Sequence, residues 1–141
     1  MLVREVSLKS SLFAGLFSSV LLSASPVLAA GDFETCIGKT AALERIGACS
    51  RAIESGLSGR QLVDAHAARG VTYGQLGQLD NAITDLTTAL DNSRDDADLW
   101  VARARAYFNK REFDRAMLDL AEAIKLDPQN SIPLNLMGKN H

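Results

Sequence analysis

The sequence predicts an all-α fold, a short stack of antiparallel helix pairs, on two observations. The first is a tandem duplication, because residues 97–130 align with residues 63–96 without a gap. Nine aligned positions are identical, whereas unrelated segments would share roughly two or three. These positions are Asp64/Asp98, Ala68/Ala102, Arg69/Arg103, Tyr73/Tyr107, Asp80/Asp114, Ala82/Ala116, Asp85/Asp119, Leu86/Leu120 and Ala89/Ala123. The second is that small residues and aromatics recur together at fixed offsets, as closely packed helices require.

This pattern resembles the tetratricopeptide repeat, a helix-turn-helix unit of about 34 residues. The family positions are occupied in the later copy by Trp100, Ala104, Tyr107, Ala116, Leu120, Ala123 and Pro128, and in the earlier copy by His66, Gly70, Tyr73, Ala82, Leu86 and Ala89. The chain departs from the family at Arg94, where Pro is usual, and at Arg69 and Arg103, where Leu is usual. The resemblance implies a short tetratricopeptide-type solenoid of stacked helix pairs.

The flanks of the two repeats are expected to act as caps, because two full copies are fewer than the three that a stable array usually needs. Residues 30–62 read as a degenerate N-terminal helix pair, and residues 131–141 as a C-terminal capping helix or the start of a truncated repeat. The repeats themselves are residues 63–96 and 97–130.

Residues 1–29 have the pattern of a secretory signal peptide. Arg4 and Lys9 form a basic start, an apolar run follows over 12–22, and small residues Val27 and Ala29 predict cleavage after Ala29. A membrane anchor is the alternative, but the apolar run is short and no stop-transfer pattern follows. The sequence therefore predicts a periplasmic or secreted protein without a stable membrane anchor after cleavage.

Export changes the interpretation of the two cysteines, Cys36 and Cys49. In an oxidising compartment an even pair favours a disulfide, which would stabilise the fold by ~3 kcal/mol on the chain-entropy model. Two separate buried thiols are the alternative. A metal site is not expected, because two cysteines without nearby histidines offer too few ligands.

The chain carries no motif for catalysis, a cofactor or a phosphate-binding loop. His66 takes the place of Trp100 in the other copy, so a packing role is its simplest interpretation. The net charge of -2 provides no basic field, which argues against nucleic acid as a partner. We therefore expect a protein that is not an enzyme and that holds no cofactor.

The resemblance implies that the first helices of successive repeats line a concave groove for a peptide or partner helix. By position, the groove residues are Asp64, Ala67, Val71, Gln75, Asp98, Val101, Arg105, Phe108 and Asn109. Some family members clamp a C-terminal carboxylate with Lys and Asn, but Ala67, Ala68, Val71 and Ala102 stand in comparable places here. The alternative is that these residues are exposed to solvent and bind no partner.

Two functions remain open. One is an exported adaptor or scaffold that binds a peptide or helix of a cell-envelope partner. The other is a structural subunit or fragment that completes its fold by self-association.

Recurrence of both Arg69 with Asp85 and Arg103 with Asp119 predicts a structural ion pair in each copy. The planar guanidinium matches a carboxylate in a bidentate geometry. The alternative is that each arginine extends its charged end to water past an apolar stem.

Overall fold

The computed structural model describes residues 26–130 and residue 135. Residues 26–130 form the helices α1 (Pro26–Ile37), α2 (Ala42–Glu54), α3 (Gly59–Gln75), α4 (Leu79–Asn92), α5 (Ala97–Asn109) and α6 (Phe113–Leu126). Each odd-numbered helix packs against the helix that follows it, and α2 and α4 also pack against the next pair. The predicted all-α stack of helix pairs is therefore confirmed.

A residue with left-handed backbone angles follows three of the described helices, α2, α3 and α5. Gly56 follows α2 with φ 92°, and Gly77 follows α3 with φ 74°. Glycine adopts these angles without a Cβ penalty, which suits it to the end of a helix. In the second repeat the aligned residue is Arg111, which adopts φ 66° although it has a side chain. The same turn is thus built with a strained residue in one copy and an unstrained one in the other.

The N-terminal helix pair is joined by a disulfide between Cys36 and Cys49, whose Cα atoms lie 4.6 Å apart. Both cysteines are fully buried beside Phe33 and Ala48, and the same cluster reaches Ala65 on α3. The predicted bridge therefore lies at the centre of the core that attaches the N-terminal pair to the first repeat.

The repeat cores follow the small-and-large pattern of the sequence. One cluster joins the first repeat to α5 through Val63, Leu86, Ala89, Leu90 and Leu99. A second joins α5 to α6 through Ala104, Ala116 and Leu120. Burial of each leucine contributes about 2 kcal/mol relative to exposure, so the stacking of neighbours stabilises the array.

Both flanks reach beyond the described residues. The expected cleavage point after Ala29 falls within α1, and the rest of the expected signal peptide lies outside the described chain. The expected C-terminal helix over 131–141 also lies outside it, apart from residue 135. Both stay predictions. None of the helices in the described part of the chain is long and apolar enough to cross a membrane.

Candidate partner-binding groove

The candidate site is a groove between α3 and α5. These first helices of successive pairs contact each other directly, as α1 and α3 also do. The floor near their C-terminal ends is supplied by Ala82 and Leu86 of α4. The groove contains two adjoining cavities that share Val71 and Ala102.

The first cavity has a volume of about 200 Å³ and a mainly apolar wall. Its lining comprises Gly70, Val71, Gly74, Gln75, Ala82, Leu86, Ala102, Arg105, Ala106 and Asn109. Val71 is 41% exposed, so a branched apolar side chain faces solvent here. The arrangement of an apolar wall with a few polar groups at the edge is typical of a binding site.

The second cavity lies toward the N-terminal ends of α3 and α5, and its volume is about 330 Å³. It combines Val63, Ala67, Ala68 and Leu99 with the charged side chains of Arg45, Arg60, Asp64, Asp96 and Asp98. Arg60 binds Asp64 at 2.8 Å and Asp96 at 3.3 Å. Asp96 also caps α5, because its side chain accepts a hydrogen bond from the Asp98 backbone N–H.

The structure places seven of the nine expected groove residues in these cavities. The first contains Val71, Gln75, Arg105 and Asn109, and the second contains Asp64, Ala67, Asp98 and again Val71. Val101 lines neither cavity and is only 5% exposed, so it offers no surface to a partner. Phe108 is also outside both, because its ring packs edge-on against Phe113 with centroids 5.3 Å apart.

Sequence reasoning named Gly70 and Ala102, but it assigned neither Gly74 nor Ala106 to the groove. Gly70, Gly74, Ala102 and Ala106 line the first cavity. A Cβ on Gly70 would approach the Leu86 Cγ to 2.9 Å, so α3 and α4 could not pack this closely around another residue. The available signal was the alignment of Gly74 with Phe108, because a missing aromatic in one copy predicts a space there.

An ion pair in each repeat fixes the helices behind the groove. Arg69 binds Asp85 through Nε–Oδ2 at 2.7 Å and Nη2–Oδ1 at 2.8 Å. Arg103 binds Asp119 in the same way, at 2.8 Å for both contacts. Each carboxylate side chain is only 6% exposed. The predicted bidentate pairs are confirmed, and neither arginine extends its charged end freely into water.

Each arginine also reaches back to the preceding helix pair. Arg69 Nη1 donates to Ser50 Oγ on α2 at 2.9 Å, and Arg103 Nη1 donates to Thr87 Oγ1 on α4 at 3.1 Å. Hydrogen bonding to Asp85 raises the pKa of Arg69 above its ordinary value despite burial. The Asp119 hydrogen bonds raise the pKa of Arg103 similarly. The guanidinium therefore stays charged and ties three helices together.

The two ion pairs differ in their outer contacts. His66 Nδ1 lies 2.9 Å from Asp85 Oδ1, so in the first repeat the carboxylate meets both a guanidinium and an imidazole. In the second repeat the guanidinium carbon of Arg103 lies 5.1 Å from the centroid of the Trp100 ring and 5.8 Å from that of Tyr107. His66 therefore makes a polar contact with Asp85, which the expected packing role did not include.

The described residues contain no cluster of three or more His, Cys, Asp or Glu side chains able to hold a metal ion. Both cysteines, Cys36 and Cys49, are bonded to each other in the disulfide. The bridge is consistent with an oxidising compartment.

Comparison with known proteins agrees with this architecture. The family model for the tetratricopeptide repeat matches residues 67–131. No curated protein matches the sequence significantly.

Two solved structures are similar to the chain. The tetratricopeptide domain of Arabidopsis OM64 is 19% identical, with a TM-score of 0.68 over 82% of this chain and 93% of that one. The first tetratricopeptide domain of human RPAP3 is 20% identical, with a TM-score of 0.65 over 81% of this chain and 87% of that one. Such domains are generally protein-protein interaction modules and typically non-catalytic. Residues 67–131 therefore match the tetratricopeptide repeat family model, and the chain has the fold of a tetratricopeptide repeat domain.

Proposed function

We propose that the protein is an exported interaction module whose groove between α3 and α5 binds a peptide or helix of a cell-envelope partner. The observation that carries this proposal is the groove itself. It combines an exposed apolar side chain, Val71, with small residues that allow a partner backbone to approach closely. Recognition of a helix in such a groove depends on apolar contacts along one face.

Export is the part of the proposal that explains the signal-like N-terminus and the disulfide together. Protein recovered from outside the cytoplasm should begin at Ala30, and its Cys36 and Cys49 should resist alkylation until a reductant is added. Intact Met1 in the cytoplasmic fraction, or full alkylation of both thiols without reductant, would contradict export.

Photo-crosslinking in living cells tests the groove. A photoreactive residue in place of Val71 should crosslink to a specific envelope protein. The matched control is Leu118 on α6, which is 69% exposed but lines neither cavity of the groove. The same products from both positions, or none from Val71, would exclude the groove as the binding surface.

Self-association is the second candidate, favoured by apolar exposure at the N-terminal pair. Ile37 is 48% exposed and Leu43 is 76% exposed. Sedimentation equilibrium separates the two functions, because a monomer supports the adaptor and an obligate dimer supports the structural subunit. Replacement of Leu43 by Ser should dissociate such a dimer.

A further inference from the structure

The first cavity exists because residue 74 has no side chain. The aligned residue in the second repeat is Phe108, which packs against Ala104, Ala116 and Leu120. A Cβ built on Gly74 would meet only the Cβ of Ala82, at 3.7 Å, which is ordinary van der Waals contact. The backbone therefore does not require glycine here, and the space is left by the missing side chain.

The size and lining of this space suit one large apolar side chain. Its volume is about 200 Å³, and Ala82, Leu86, Ala102 and Ala106 form apolar walls. An engineered apolar cavity of about 150 Å³ in another protein binds benzene. A leucine or phenylalanine side chain of a partner would therefore fit, and its burial would remove most of its surface from water.

Two charged side chains on α5 flank the apolar stretch. Arg105 is on the edge of the first cavity and Asp98 on the edge of the second, and neither side chain forms an ion pair with another residue of the described chain. They are seven residues apart, so they share a helix face and are separated by ~10 Å along the axis. The other two carboxylates of the second cavity, Asp64 and Asp96, already share Arg60.

We propose that the groove binds a partner segment with three features: a large apolar side chain that fills the space at Gly74, an acidic side chain that pairs with Arg105, and a basic side chain that pairs with Asp98. This inference rests on the proposed function. We assign the acidic group to a side chain, and not to a C-terminal carboxylate of the partner, because the groove continues past Val71 and Ala102. A bound segment therefore runs through both cavities instead of ending at Arg105.

The test is selection from a library of random 12-residue peptides, displayed between two carrier domains so that no peptide has a free terminus. The bait is the protein as cells produce it. Enriched segments should share one large apolar residue with an acidic residue nearby and a basic residue farther along. A selected peptide should bind the Gly74→Phe variant at least about tenfold more weakly, because the pocket for its apolar side chain is filled.

Three further variants make the result specific. Gly74→Ala should weaken binding by less than Gly74→Phe and keeps the test open if the larger side chain prevents folding. Arg105→Glu should favour peptides with a basic residue beside the apolar one, because the charge on the edge is reversed. Leu118→Ala, on the exposed face of α6, should bind the peptide as the unmodified protein does.

Peptides that bind the unmodified protein and both Gly74 variants equally would overturn the inference, as would enriched sequences without the charged pair or a failure to enrich any sequence. The proposed function is decided separately by crosslinking from Val71 to the native partner. A positive crosslink with a failed selection would retain the groove as a binding surface and reject only this description of its ligand.

Discussion

The two repeats, residues 63–96 and 97–130, hold the same ion pair in different surroundings. In the first, Asp85 meets Arg69 and His66. In the second, Asp119 meets Arg103, whose other face lies against the rings of Trp100 and Tyr107. The carboxylate is the shared centre in one repeat, whereas the guanidinium has the richer contacts in the other. A single recurring pair therefore tolerates two kinds of neighbour.

The repeats also differ in how they fill the space beside the pair. Gly70 and Gly74 stand where the second repeat has Ala104 and Phe108. The first repeat brings α3 close to α4 and leaves a cavity toward α5, whereas the second fills its interior with an aromatic ring. The space at residue 74 is therefore open in the first copy, whereas the aligned space at residue 108 is filled in the second.

Removal of the carboxylates should have the largest effect. Asp85→Ala should lower the free energy of unfolding by about 3 kcal/mol, because it leaves a partly buried guanidinium without its counter-ion. Asp119→Ala should cost less, about 2 kcal/mol, because the Trp100 and Tyr107 rings still stabilise the cation. Urea unfolding measured at one pH compares the two variants directly.

A double-mutant cycle provides the control for the second pair. Arg103→Ala and Asp119→Ala should together cost clearly less than the sum of the single losses, because either one already removes the contact. Strictly additive losses would show that the pair contributes no coupling. A larger loss for Asp119→Ala than for Asp85→Ala would show that the Trp100 and Tyr107 rings do not compensate for the missing carboxylate.

The repeats, the helix pairs and the ion pairs were predictable because each leaves a mark at a fixed sequence offset. Arg69 with Asp85 and Arg103 with Asp119 recur together, so the alignment alone indicated that they meet. The groove was only partly predictable, because its depth depends on absent side chains. Phe108 is an example. Its position on α5 predicts a groove residue, but its ring packs against Phe113 and lines neither cavity.

The close helix packing of the first repeat supplies the next prediction. Gly70→Ala should destabilise the protein by about 1 kcal/mol, because its Cβ would press on Leu86 and on Asp85, and this overpacking exceeds the gain in helix propensity. The matched change in the second repeat, Ala104→Gly, should also cost about 1 kcal/mol, but through lost propensity and packing. Thermal unfolding reports both losses.

The two changes are distinguished by a further substitution at Leu86. A Leu86→Ala background removes the Cγ atom that a Cβ on residue 70 would meet, so the double variant should lose less stability than the sum of its two single variants. The same background should leave the cost of Ala104→Gly unchanged. If the loss at Leu86 simply adds to the loss from Gly70→Ala, as it should to that from Ala104→Gly, then contact with Leu86 is not the cause of the Gly70→Ala loss.

Changes in the turn after the first helix of each repeat should have effects of similar or smaller size. Arg111→Gly should stabilise the protein by about 0.5 kcal/mol, because glycine removes the cost of φ 66° but has more freedom in the unfolded chain. Gly77→Ala should cost about 1 kcal/mol at φ 74°. Chemical denaturation measures both, and a loss of stability in Arg111→Gly would show that its side chain does more than occupy a turn.

The smallest expected difference is a dependence on pH that comes from the ion pairs of Lys110, the residue that follows α5. Lys110 Nζ lies 2.8 Å from both Asp80 and Glu112, and the residue aligned with Glu112 in the first repeat is Gln78, which does not titrate. The hydrogen bond from Lys110 lowers the pKa of Glu112 below its ordinary value. Hydrogen bonds to Asp80 and Glu112 raise the pKa of Lys110 from 10.5 to about 12.

These two pKa shifts make the stability of the protein depend on pH in opposite directions, with a loss in acid from Glu112 and a loss in strong base from Lys110. The Glu112 contribution to stability is present above its unfolded pKa of about 4.3 and is lost as the pH falls through its lower folded value. The Lys110 contribution is present below its unfolded value of about 10.4 and is lost as the pH rises through about 12. Glu112→Gln, which copies the first repeat, should therefore be less stable than the unmodified protein at neutral pH and equal to it in acid. Unfolding midpoints in urea across that range measure the gap, and a gap that persists in acid would show that the Glu112 carboxylate charge is not its source.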